Sequence, residues 1–177
     1  MTELEILKEW FRYNAETRPG YLSAIARLPL EEATADRGAS FPLLDIFLHV
    51  LDAHRVWLEW AAHDRLREWE ARRDELRLRT RIRTCPEAEA AMGNVAGLVN
   101  GYLASLTESD LPRTIGYDDV DEKGGWYRAH VVVRDMLWHL VEEELQHRGE
   151  MNALLWQRDQ DPPIVDWIDW KSGRRRP

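Results

Sequence analysis

The residues best placed to do chemistry lie in Trp138-His139-Leu140-Val141-Glu142-Glu143-Glu144-Leu145-Gln146-His147-Arg148-Gly149. Glu143 and His147 are spaced i, i+4, which sets them one turn apart on one helix face. At about 100° per residue, Val132, Met136, Glu143, His147, Glu150 and Leu154 share a narrow sector, flanked by Leu137, Leu140 and Met151. The sector is apolar at both ends and polar in the middle. An ionised carboxylate on a buried helix face needs a cation or several donors. Helical proteins often meet that need with a metal held between facing helices. His49, between Leu48 and Val50 in the most apolar segment of the chain, is the third candidate ligand. Two histidines and a glutamate suit catalytic zinc with a position open to water or substrate. Nickel or iron(II) can use the same nitrogens and oxygen.

Each of these residues has a plainer reading. A Glu–His pair is common on exposed helices, three consecutive glutamates can form a solvated face, and a lone histidine in an apolar helix is often a satisfied core residue. Their combination carries the metal reading. His139 lies two turns from His147, about 12 Å along the axis, too far to share one ion. Paired with Glu143 it gives an alternative site. His54, His63 and His130 are read as surface or supporting residues. Gly124-Gly125 lacks the strand-turn-helix setting of a phosphate loop, and there is no Gly-x-Ser-x-Gly elbow. Cys85 precedes Pro86 with no histidine near it in sequence.

Four segments have helical periodicity and must position these groups. The first spans about 3–28, with Leu4, Leu7, Phe11 and Asn14 on one stripe; Pro19-Gly20 is expected to kink or interrupt it near Arg18. The second spans about 41–62, with Ser40 as N-cap and Pro42 in the first turn; it is apolar around most of its circumference and so central. The third runs from Pro86 to about Leu106, with Ala91, Val95, Leu98, Val99 and Tyr102 inward. Its Gly93, Gly97 and Gly101 are expected to admit a close neighbouring helix. Residues 113–127 suggest a hairpin or ordered loop turning at Asp121 to Gly125. The fourth helix spans about 131–158 and stops before Pro162-Pro163. Residues 64–83 are highly charged and either extend the second helix or cross over. These elements predict an all-α, four-helix bundle with one long connection, as a single domain over 1–177 with its core at about 3–160 and an aromatic tail.

Composition narrows the partners. The net charge of -8 disfavours nucleic acid, which needs clustered Lys and Arg; Arg174-Arg175-Arg176 is read as a frayed tail. No apolar run approaches the roughly 18 residues of a membrane span. The acidic Met1-Thr2-Glu3-Leu4-Glu5 start is unlike a signal peptide, and the one cysteine rules out an internal disulfide and fits a reducing compartment. The expected location is cytoplasmic. The nine tryptophans are expected mostly in the core or at a subunit interface.

Leu44-Asp45-Ile46-Phe47-Leu48-His49-Val50-Leu51-Asp52-Ala53, followed by Leu137 to Glu150 with its His-Arg-Gly run, resembles the DinB/YfiT-like superfamily of metalloenzymes over about residues 3–160. The resemblance implies a four-helix bundle with a long crossover, usually dimeric. It also implies a metal triad of one histidine on the second helix and two, four apart, on the fourth. His49 and His147 match the first and last of these. Glu143 stands where many members have histidine, and the mycothiol-dependent maleylpyruvate isomerases are similar in that substitution. Characterised relatives use a low-molecular-weight thiol in transfer or isomerisation.

The leading expectation is a divalent-metal enzyme, with zinc ahead of nickel or iron, that transfers a small thiol to an electrophilic small-molecule substrate. His49, Glu143 and His147 would hold the metal, and Arg148 would either orient an anionic group of the cofactor or form a surface salt bridge. A homodimer without nucleic-acid or membrane partners is expected. The alternatives are metal-assisted hydrolysis, or a non-catalytic stress-related binding or structural dimer with a vestigial metal site, whose tail around Trp167 and Trp170 serves partner contacts.

Overall fold

A computed structural model describes residues 1–173; Arg174-Arg175-Arg176 lies outside them. The protein is mostly helical, with one two-stranded sheet. Four long helices carry the architecture: α1 (Glu3–Ala26), α2 (Leu43–Arg55), α3 (Cys85–Ser105) and α4 (Val133–Trp156). Helix α2 packs along α4, α1 packs against α3 and α4, and α2 also meets α3. The main core lies between them, built from residues such as Leu7, Phe11, Ile25, Leu44, Phe47, Leu48, Leu51, Val95, Leu137 and Leu140.

Helix α1 opens with a capping box in which the Glu5 amide donates to Thr2 Oγ1 and the Thr2 amide donates to Glu5 Oε2. It then runs unbroken through Pro19, contrary to the expected interruption. An interior proline costs about 3 kcal/mol. Beyond it, Tyr21, Leu22 and Ile25 are buried, and each contributes roughly 1.5–3 kcal/mol. Tertiary packing therefore outweighs the break.

Helix α2 starts at Leu43 with Pro42 as its N-terminal flank, so Ser40 does not cap it. The Ser40 hydroxyl donates instead to Glu150 Oε2 on α4, at 3.0 Å. After Arg55 the helix widens into a π-helical turn at Val56–Trp60 and tightens into a 3-10 turn at Ala61–His63. The charged stretch that follows forms short helical pieces, Leu66–Ala71, Arg73–Leu76 and Leu78–Arg81. It is pinned to α2 where Asp52 accepts from the Leu78 amide at 2.9 Å and Arg55 donates to the Leu76 carbonyl at 2.9 Å.

Helix α3 has its own capping box, Thr84 with Glu87. Ala91, Val95 and Val99 face inward as expected, whereas Leu98 and Tyr102 are only partly buried. The glycines do not receive a neighbour: a Cβ added at Gly93, Gly97 or Gly101 would meet nothing within 4 Å.

Strands β1 (Thr114–Val120) and β2 (Trp126–Val132) pair antiparallel, from Thr114 opposite Val132 to Val120 opposite Trp126. The turn lies at Asp121 to Gly125, as the sequence suggests. Asp121 Oδ1 accepts from the Lys123 and Gly125 amides, and Gly124 takes φ 80°. The hairpin packs on the end of the second helical run through a smaller core of Trp60, Ala61, Leu66, Trp69 and Tyr117. Strand β2 leads directly into α4, which ends at Trp156, two residues short of the expected limit.

The aromatic tail forms α5 (Trp167–Lys171) and docks on α1. Trp167 stacks on Trp10 at 4.0 Å between ring centroids, and Tyr13 Oη donates to the Val165 carbonyl at 3.0 Å. No helix among the described residues is long and apolar enough to cross a membrane.

Candidate metal centre

The helical phase inferred for α4 holds. Met136, Leu137, Leu140, Met151 and Leu154 are buried, and Glu143 and His147 sit between them. Helix α2 brings His49 opposite. His49 Nε2 lies 2.9 Å from Glu143 Oε1, and His147 Nε2 lies 3.1 Å from the same oxygen. The two imidazoles meet edge to face, 4.8 Å between centroids and 85° between planes. A carboxylate oxygen only accepts, so without an ion each ring directs an Nε2–H at Glu143.

Hydrogen bonds from His147 and then His49 hold the Glu143 carboxyl far below the usual carboxylate range, against the opposing effect of burial. Its hydrogen bond to Glu143 raises the His147 pKa; burial opposes this and Glu150 adds to it. Glu150 is the site residue that sequence reasoning placed on the face without giving it a role. Its Oε2 lies 2.5 Å from His147 Nδ1 and accepts from Ser40. The i, i+3 spacing from His147 was the available signal. A carboxylate on the far nitrogen of a ligating histidine fixes its tautomer and orientation, leaving Nε2 to face the ion.

One ligand atom from each of His49, Glu143 and His147 falls within 4.8 Å of the others. Two imidazole nitrogens and a carboxylate oxygen form a chemically apt set for a divalent transition metal. His147 is buried and Glu143 nearly so, while the His49 side chain is 31% exposed, which leaves an approach from solvent. Phe41 lies against the His49 ring at 5.3 Å, and the Arg79 guanidinium covers Phe41 at 4.1 Å.

Arg148 is placed differently from the three. It is buried, not at the surface, and its Nη2 donates to Thr17 Oγ1 at 2.8 Å and Asn14 Oδ1 at 2.9 Å on α1. It belongs to a buried ionic cluster that sequence reasoning missed. Arg18 makes two hydrogen bonds to Glu144, at 2.6 and 3.0 Å, and a third to His54 Nε2 at 3.0 Å. His54, expected at the surface or in support of the site, is fully buried. Because Arg18 can only donate, His54 Nε2 is the acceptor and Nδ1–H donates to the Val50 carbonyl at 2.9 Å. Burial, then the Arg18 charge, lowers the His54 pKa to about 4. Burial alone would raise the Glu144 carboxyl, but Arg18, His54 and Arg148 together hold it below the usual range.

His139 stands apart from the main triad, 43% exposed, with its ring against Trp57 at 5.5 Å. His63 and His130 are exposed. Cys85 is partly buried at the start of α3, and burial pushes its thiol up.

The described residues thus form a mostly helical protein with two histidines and a glutamate brought together across α2 and α4, where the sequence resemblance implied a triad of histidines with Glu143 as the departure. The model of the DinB family matches residues 1–175. The chain belongs to the DinB family. No curated protein matches the chain. Membership in the DinB family agrees with a metal-binding, enzyme-like fold, and His49–Glu143–His147 is one of two groups among the described residues, with His139–Glu142–Glu143, that could hold a metal.

Proposed function

We propose that this DinB-family protein is a divalent-metal-dependent enzyme that transfers a low-molecular-weight thiol to an electrophilic small molecule. In this reading its four long helices form the family's bundle, and it works as a cytoplasmic homodimer. The observation that carries the proposal is the convergence of two imidazole Nε2 atoms on one oxygen of Glu143, with the His49 edge open to solvent. His49, Glu143 and His147 would hold the ion, with zinc favoured and nickel or iron(II) also suited to the donor set. A divalent cation there would supply Lewis acidity that favours the thiolate of an incoming thiol near neutral pH.

The chain's own residues set the conditions for that step. Glu150 and Ser40 orient His147, while Phe41 and Arg79 shape the approach beside His49. Burial raises the Cys85 thiol pKa, so in this reading the nucleophile comes from solution. Arg148 is buried with its Nη2 bonded to Asn14, Thr17 and Glu144, so an anion-orienting role would fall to Nη1, which has no hydrogen-bond partner among the described residues.

The test pairs metal analysis of protein purified without chelator with assays of bacillithiol, mycothiol and glutathione against haloarenes and unsaturated acids. Acceleration that disappears on chelation and in Glu143→Ala is expected. Metal-loaded protein with no rate above background for any donor ends the transferase reading in favour of hydrolysis or binding. Sedimentation at micromolar protein tests the dimer, and a monomer there removes it.

A further inference from the structure

Glu143 uses a single oxygen for the main centre. Oε1 meets both His49 and His147, and no hydrogen bond to Oε2 is found among the described residues. One turn toward the start of α4, His139 stands i, i+3 and i, i+4 from Glu142 and Glu143, on their side of the helix. One ligand atom each from His139, Glu142 and Glu143 falls within 4.8 Å of the others, and His139 Nδ1 is 4.0 Å from Glu142 Oε2. Trp57 lies edge-on against the His139 ring at 5.5 Å, and Tyr117 of the hairpin braces Trp57 at 5.3 Å. Trp57 is carried by the π-helical turn Val56–Trp60, a local widening that recurs at functional sites.

Charge points the same way. Among the described residues no Lys or Arg pairs with Glu142, Glu143 or Glu150; their partners are histidines, and Ser40 for Glu150. Three carboxylates are thus set among imidazoles that are charged only when protonated. A carboxylate with donor groups on both sides is a natural bridge in two-cation centres, whose ions lie about 3.5–4 Å apart.

We propose that His139, Glu142 and the available oxygen of Glu143 form a second divalent-cation site, with Glu143 bridging it to the main centre. The inference rests on the main centre being a metal site. The second ion binds more weakly, because the side chains of His139 and Glu142 are 43% and 64% exposed and must be ordered on binding.

Cobalt(II) titration of chelator-stripped protein tests this, read by calorimetry and low-temperature EPR. Wild type takes two equivalents, the second held about tenfold or more less tightly. The high-spin signal grows over the first equivalent and falls over the second as the ions couple through the shared carboxylate. His139→Ala, at an exposed position, keeps its fold and the tight equivalent but loses the second and the coupling. Glu142→Gln weakens only the second, and His147→Ala loses the tight one. A single equivalent in wild type at millimolar cobalt overturns the second site and leaves the main centre standing. No uptake at all overturns both. A second equivalent that survives in His139→Ala and Glu142→Gln is an adventitious surface ion and also overturns the proposal.

Discussion

Glu143 and Glu144 are neighbours in sequence, but their carboxylates serve different helix contacts. Glu143 Oε1 lies between His49 of α2 and His147, whereas Glu144 is enclosed by Arg18 of α1, by Arg148 and by the buried His54. Consecutive helical residues point about 100° apart, and the offset repeats at His147 and Arg148. Each candidate ligand on α4 is therefore followed by a buried charged residue bonded to α1.

The first prediction concerns that cluster. Glu144→Gln leaves two buried guanidinium groups without their carboxylate, and removing one partner of a buried pair costs about 3–5 kcal/mol. Urea denaturation should show a loss of that order. A loss below about 1 kcal/mol would mean that solvent or a neighbouring anion already compensates the two arginines.

The proposed metal ligands are tested by content. His49→Ala, Glu143→Ala and His147→Ala should each remove most of the tightly bound metal, while His139→Ala should retain it. Glu150→Gln keeps all three ligands but loosens the tautomer control on His147, and affinity should fall roughly 10–100-fold. Full tight-site occupancy in His147→Ala would place the centre elsewhere.

Stability should depend on pH through His54. Its folded pKa of about 4 lies below the ordinary 6.5. At pH above 6.5 folded and unfolded chains both hold it neutral, and its contribution is intact. As pH falls from 6.5 toward 4 the unfolded chain binds a proton that the folded chain refuses, and stability drops by up to roughly 3 kcal/mol. Glu143 and Glu144, whose folded pKa values are lowered, lose their contributions only at lower pH. Denaturation of wild type and His54→Gln across this window is the check, and equal slopes would exclude His54 as the source.

The C-terminal helix has five residues, too few to persist unaided, so its position depends on α1. Trp10→Ala removes the stack on Trp167, worth about 0.5–1.5 kcal/mol beyond the buried area. Limited proteolysis should then cut between Gln160 and Asp166 faster than in wild type. An unchanged rate would assign the anchoring to Tyr13, the Trp170–Glu16 bond and the Lys171–Glu9 ion pair.

The site was legible where periodicity and chemistry coincide. Glu143 and His147 interrupt an otherwise apolar sector, so the helix phase alone directed them inward. The ionic cluster follows the same rule: Arg18 continues the stripe of Leu7, Phe11 and Asn14 at helical spacing, although the adjoining Pro19 marks an expected kink or interruption there. His54 was harder, because a single histidine carries no sign of which partner awaits it on another helix. The π-helical turn at Val56–Trp60 and the broken crossover after it depend on long-range packing of Trp60 and Trp69 against Tyr117. No local pattern encodes that contact. Ser40 looked like a cap by type, but its bond to Glu150 spans 110 positions of sequence.

The bare face of α3 turns into a gauge of how the molecule lives in solution. Alanine is favoured over glycine inside a helix by about 1 kcal/mol per residue, and an added methyl at Gly93, Gly97 or Gly101 has free space in the single chain. Replacing all three should raise the melting temperature wherever that face meets only water. If two copies close on each other there, the same methyls would hold the backbones apart and the gain would be lost to dissociation. Three of the smallest possible edits thus report which side of the molecule is outward.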